Sequence, residues 1–135
     1  MVKGIKTRRA IGLTYNYAAP ELLQRLNDRV RKTRSDIDKK IDVFAFAMTM
    51  YEVATLKCPW EGLGLPEIEK EVLIGRRPIV PAWIMANPKI MAELGPFLEL
   101  LRKCWDSSPL LRPSFQTVLE VIAREQTRLR GSSSK

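Results

Sequence analysis

The 135 residues contain no histidine. That one absence removes Ser-His-Asp and Cys-His nucleophilic sites, most zinc sites and every histidine general base, and with them most hydrolase chemistry. Cysteine is scarce too. Cys58 and Cys104 stand far apart in no metal-ligand spacing, and an oxidised scaffold of this length carries more. Both are expected to be reduced, half-buried packing residues. No stretch approaches the roughly 20 apolar residues that span a bilayer, and Met1 to Lys6 lack the apolar core of a signal peptide. No membrane partner is expected, and the expected location is the cytoplasm. No internal repeat is visible.

What is present has the balance of a folded domain, with 45% hydrophobic and 28% charged residues. A chain of this length hides roughly two thirds of its unfolded surface in a single core. The net charge is +8, and basic residues gather at 3–9, 25–40 and 124–130. Such a surface attracts phosphate through counterion release but reads no bases. A solvated face or a docking surface for an acidic partner is therefore preferred over a nucleic-acid partner.

Along the chain, residues 1–19 lack helical period and suit an extended loop. Pro20 can open a short helix, with Glu21 at the positive end of its dipole and Leu22, Leu23 and Leu26 behind. The charged stretch 27–40 reads as a surface loop. From Ile41 to Leu56 almost no polar face remains, which predicts a central helix buried all round. A strand pair is the alternative, but no turn signal interrupts the run. Pro59, Gly62 and Gly64 break the chain; Pro66 starts a helix from Glu67 to Ile74 that Gly75 can cap. Arg77 to Pro81 must be extended, because each proline restricts the residue before it. After Asn87-Pro88, the spacing of Phe97, Leu98, Leu101, Cys104 and Trp105 predicts an amphipathic helix that Ser107-Ser108-Pro109 ends. A last helix starts near Ser114, with Phe115, Val118, Leu119 and Ile122 inward, and residues 131–135 read as a flexible tail. Five helices and no convincing strand make an all-α piece.

Four motifs in order then resemble one family. Gly12-Leu13-Thr14-Tyr15-Asn16-Tyr17-Ala18-Ala19-Pro20-Glu21 resembles the end of the activation segment of protein kinases, closing on Ala-Pro-Glu. Asp42-Val43-Phe44-Ala45-Phe46-Ala47 is similar to the start of the family's buried central helix, with Phe44 and Ala47 where Trp and Gly are usual, and Pro59-Trp60 to the Pro-Trp beyond that helix. Gly75-Arg76-Arg77-Pro78 is similar to the stretch after the next helix. Cys104-Trp105, Pro109, Arg112-Pro113 and Phe115 match the ending shared by tyrosine kinases and tyrosine-kinase-like kinases. The Thr14-x-x-Tyr17 spacing is similar to serine/threonine enzymes. The resemblance covers residues 4–125 and implies the helical C-terminal lobe of the protein kinase (α+β) fold, without its N-terminal lobe and catalytic loop. Residues 1–130 would be a partial kinase domain, with 1–21 the end of the activation segment and 22–130 the helical lobe.

By that resemblance Glu21 pairs with Arg112, and Thr14, Asn16, Tyr17 and Ala19 belong to the loop that receives the substrate residue after the phosphorylated one. Asp42 would anchor the catalytic loop; capping its own helix is the plainer role. Thr7, among Lys3, Lys6, Arg8 and Arg9, is a candidate phosphosite. Kinase chemistry needs a glycine-rich loop, a strand lysine, an Asp–Asn catalytic loop and an Asp-Phe-Gly aspartate. None occurs here: Gly62-Leu63-Gly64 lacks the third glycine, and there is no His-Arg-Asp or Asp-Phe-Gly. No catalytic, cofactor-binding or metal-binding residue is assigned, and ATP and Mg belong to the complete parent domain. The chain alone is expected to be inactive, with the missing lobe and catalytic loop, and a protein substrate or regulator, as partners. A free-standing interaction module derived from a kinase lobe is the alternative, and a basic nucleic-acid binder a more distant one.

Overall fold

The computed structural model describes residues 15–28 and 35–133, and side chains for 15–24 and 39–131. Among the described residues the regular elements are six α-helices and one 3-10 turn, with no strand. They are α1 (Pro20–Asp28), α2 (Ser35–Thr55), α3 (Leu65–Leu73), α4 (Ala82–Met85), α5 (Pro88–Cys104), the 3-10 turn Pro109–Leu111 and α6 (Phe115–Ser133).

Each boundary has a local cause. The Ala19 carbonyl accepts the first bonds of α1, from Leu22 and Leu23 N–H at 3.1 Å each. Pro20, which has no N–H to satisfy, occupies the first turn. At the end of α3, Gly75 takes φ +92°, and the Arg76 N–H reaches the Glu71 carbonyl at 2.9 Å while the Gly75 N–H reaches Val72 at 3.1 Å. This is a Schellman closure, which needs a left-handed residue that glycine supplies without strain. Asn87 caps α5 by accepting from Lys89 and Ile90 N–H at 3.0 and 3.1 Å, with Pro88 in the first turn. Inside α5, Pro96 removes the N–H that would bond the Ala92 carbonyl. The Arg128 guanidinium of α6 donates to that carbonyl at 3.2 Å instead, so the proline ties two helices together. Ser114 opens α6, its hydroxyl accepting from Thr117 N–H at 3.2 Å.

Helix α2, about 30 Å long, is the element on which the rest assembles. It packs against α5 and the 3-10 turn, while α6 and α4 lie on α5 and α1 on α3. Val43, Phe44, Ala47, Met48, Tyr51 and Thr55 fall on one face of α2 and are buried with Leu23, Val72, Leu101, Cys104 and Val118. The Thr55 hydroxyl, buried at the helix end, is satisfied by the Tyr51 carbonyl at 2.7 Å.

Several sequence expectations need correction. The stretch 27–40 is not all loop: α2 already begins at Ser35, since Ser35 and Asp36 can start a helix whose apolar face appears only later. Nor is α2 buried all round. Val53 is 73% exposed, and Phe46, Met50, Val53 and Ala54 line an apolar groove of about 410 Å³ with Leu94 and Phe97 of α5. The single-turn α4 was hidden between prolines too close together to show a period. On α6 the inward stripe centres on Val118, with Val121 and Ile122 partly buried; Leu119, about 100° round the helix from Val118, is 65% exposed. The helix continues to Ser133, into the stretch expected to be a tail. Cys58 is exposed rather than half-buried, and Cys104 is fully buried; both are free thiols. Among the described residues no helix is long and apolar enough to cross a membrane.

Candidate functional site

The segment 15–21 enters α1 over the C-terminal half of α2, and its geometry depends on one arginine. Arg112 leaves the 3-10 turn in extended conformation, as a residue before proline must, and its side chain has no solvent exposure. Its guanidinium donates to both oxygens of Glu21, at 2.6 and 2.8 Å, to the Asp106 carbonyl at 2.8 Å and to the Lys40 carbonyl at 3.0 Å. The Lys40 ammonium donates back to the Arg112 carbonyl at 2.5 Å. A fork of donors facing a carboxylate is the strong form of ion pair, and here it joins positions 91 residues apart. Burial of the guanidinium is compensated because four of its five N–H groups have partners.

A second arginine lies beside it. Arg77 donates to the Trp105 carbonyl at 2.7 Å, the Arg76 carbonyl at 2.7 Å and the Ser107 hydroxyl at 3.0 Å. Its pKa is pushed down to about 10, first by burial and then by the Arg112 charge, with Asp106 and Glu21 opposing the shift. Sequence reasoning placed Arg77 at the start of an extended segment but gave neither it nor Lys40 a role in the site. A signal was present: Arg77-Pro78 and Arg112-Pro113 are the two Arg-Pro pairs, each holding an arginine on extended backbone.

Toward the other end of the segment, the Asn16 amide donates to the Pro59 carbonyl at 2.7 Å and to the Cys58 sulfur at 3.6 Å. The Tyr17 hydroxyl donates to Glu52 of α2. That hydrogen bond, and then burial, pushes the Tyr17 pKa well up, so the phenol stays a donor across the physiological range. Ala18 and Ala19 are buried, Ala19 with no exposed surface. Asn16 is thus held against Cys58 and Pro59, while Tyr17, Glu52 and Cys58 surround a hollow of about 410 Å³ that Thr49, Val53 and Leu56 complete.

Asp42 is exposed on α2, seven residues past the helix start, so it does not cap that helix. Thr7 and Thr14 lie outside the described residues. Among the described residues no three His, Cys, Asp or Glu side chains converge as a metal site. The glycine pair at 62 and 64 does not form a phosphate cradle: a Cβ on Gly64 would sit 2.7 Å from Glu67 Oε2, so a carboxylate already occupies the start of α3.

A family model described as protein tyrosine and serine/threonine kinase matches residues 3–122. Serine/threonine-protein kinase STY17 of Arabidopsis thaliana is 31% identical over 110 residues, covering 81% of this chain and 16% of that protein. Receptor-interacting serine/threonine-protein kinase 4 of Homo sapiens is 32% identical over 90 residues, 66% of this chain and 10% of that protein. The chain therefore spans about a sixth or less of the length of these relatives. With a helical architecture among its described residues and the match over most of its length, it belongs to the protein tyrosine and serine/threonine kinase family, as part of a kinase domain of the tyrosine-kinase-like group.

Proposed function

We propose that this chain is the substrate-holding helical part of a protein serine/threonine kinase domain. The parent domain would transfer the γ-phosphate of ATP to proteins, while residues outside these 135 supply the ATP and Mg sites. The observation that carries this reading is the Glu21–Arg112 fork. It fixes the entry into α1, and with it Asn16 and Tyr17, on a buried helical frame. Preorganised positioning is what a phosphoryl-transfer site asks of the protein around its acceptor. Ala19 would act through its carbonyl and its packing, since its side chain is buried, and Asp42 remains accessible to a catalytic loop brought to it. The apolar groove between α2 and α5 supports the same reading: Val53, Met50 and Phe97 are better placed under further protein than under water. The absence of glycine-loop, His-Arg-Asp and Asp-Phe-Gly sequences fits a chain that contributes no catalytic group of its own.

The test is an exchange. Residues 3–122 replace the matching segment of STY17, and transfer of labelled phosphate to a serine/threonine peptide library is measured. A chimera that transfers phosphate, and loses this on Arg112→Met, is expected. A chimera that folds but transfers nothing would favour a non-catalytic interaction module.

A further inference from the structure

One exposed hydroxyl touches the charge cluster that surrounds Arg112. Ser107, in the loop between α5 and the 3-10 turn, is exposed, and its oxygen accepts from Arg77 Nη2 at 3.0 Å. Among the described residues the proton of that hydroxyl has no protein acceptor. The second N–H of the same Nη2 has none either. Arg77 gives its Nε to the Trp105 carbonyl at 2.7 Å and its Nη1 to the carbonyls of Arg76 and Val72, at 2.7 and 3.3 Å, and these bonds hold the guanidinium with Nη2 toward Ser107.

Charge and space both favour an anion at this hydroxyl. The cations Lys40, Arg77 and Arg112 gather around the carboxylates of Glu21 and Asp106, so the cluster holds one positive charge in excess. A Cβ built on Gly75 would meet Ser107 Oγ at 3.9 Å and no other atom outside its chain neighbours, so the space beside the hydroxyl is open. Asp106 opposes an anion, but its Oδ1 is engaged by the Ser108 N–H at 2.9 Å.

We propose that Ser107 is a phosphorylation site, and that the phosphoryl group it receives is held by the two N–H groups of Arg77 Nη2. The serine oxygen attacks the γ-phosphorus of a nucleoside triphosphate bound to a separate protein kinase. The Oγ–P bond forms, the bond to the β-phosphate oxygen breaks, the nucleoside diphosphate leaves, and the hydroxyl proton passes to that enzyme's base. The product has close to two negative charges and three strong acceptor oxygens where a neutral hydroxyl stood. That charge offsets the excess in the cluster and eases the repulsion between Arg77 and Arg112, so an event at the surface reaches the Glu21–Arg112 fork. A free phosphate fits less well, because one nitrogen beside Asp106 does not hold it against water, whereas covalent attachment supplies the proximity.

Two measurements test this. Phosphopeptide mapping of the protein recovered from the cells that express it, with phosphatases blocked, should place phosphate on Ser107; a map with none there would overturn the proposal. The full 135-residue chain, made with phosphoserine inserted at position 107 and labelled with nitrogen-15, is then compared with the unmodified chain. Its folded-to-unfolded equilibrium constant in urea should be about tenfold higher, and the Arg77 and Arg112 Nε–H signals should shift together. Arg77→Gln should abolish the gain; if that variant does not fold, the Arg77 signal in the otherwise unaltered chain decides. An unchanged equilibrium or an unmoved Arg77 signal would overturn the proposal. So would an equal gain when inorganic phosphate is added in excess to the unmodified chain, since the site would then serve a free anion. No phosphate transfer by the parent domain enters these measurements, so their failure leaves the exchange test standing.

Discussion

Arg77 and Arg112 share one aromatic ring: their guanidinium carbons lie 5.0 and 4.9 Å from the centroid of Phe44. Two like charges held this close repel, and after burial that repulsion is the second cause pushing the Arg77 pKa down. The ring's negative faces, Glu21 and several carbonyls offset it. Phe44 is therefore an electrostatic part as well as a packing part of the core.

Phe44→Leu keeps an apolar side chain but removes both ring contacts. A loss of about 2–4 kcal/mol in urea unfolding is expected. The Arg77 and Arg112 side-chain signals should broaden or shift together, whereas Met48→Leu, on the same buried face, should leave them unmoved.

Leu56 ends α2 in the left-handed conformation that glycine adopts without strain, and its side chain is 84% exposed. Leu56→Gly should relieve the backbone while losing little packing. It is expected to stabilise the chain by about 0.5–1 kcal/mol. A destabilisation in thermal unfolding would show that the side chain makes contacts its exposure hides.

The two thiols should behave oppositely. Cys58 is exposed, whereas Cys104 is fully buried and burial pushes its pKa up to about 11. Iodoacetamide at pH 8 should label Cys58 alone in the folded chain and both after denaturation. Because the folded thiol holds its proton more tightly than the unfolded one, its contribution to stability is complete below about pH 9. That contribution is lost as pH rises from there toward 11, and Cys104→Ser should flatten this part of the profile.

Much of this was legible in the sequence because the elements are punctuated chemically. Pro20, Pro66 and Pro88 mark helix starts, Gly75 marks an end, and the stripe ending in Cys104-Trp105 shows which side of α5 faces inward. What stayed hidden depends on tertiary partners. The first turns of α2 carry charges that read as loop until Lys40 is seen to donate to the Arg112 carbonyl. The open side of α2 looked buried because composition records how apolar a helix is, not what lies beside Val53. Leu119 looked inward because it stands about one turn from Phe115, which is itself 38% exposed and so marks the edge of the face that packs. The Glu52 contact with Tyr17 carried no local signal, since the two are 35 residues apart.

The most direct test is a double-mutant cycle on Glu21 and Arg112, with Glu21→Gln and Arg112→Met made singly and together and stability read from urea unfolding of the full chain. Each single change should cost about 3 kcal/mol or more, because it strands a buried partner, and the double variant should cost little more than either single one. Additive losses, with a coupling energy near zero, would contradict the claim that this pair fixes the segment 15–21 on its helical frame.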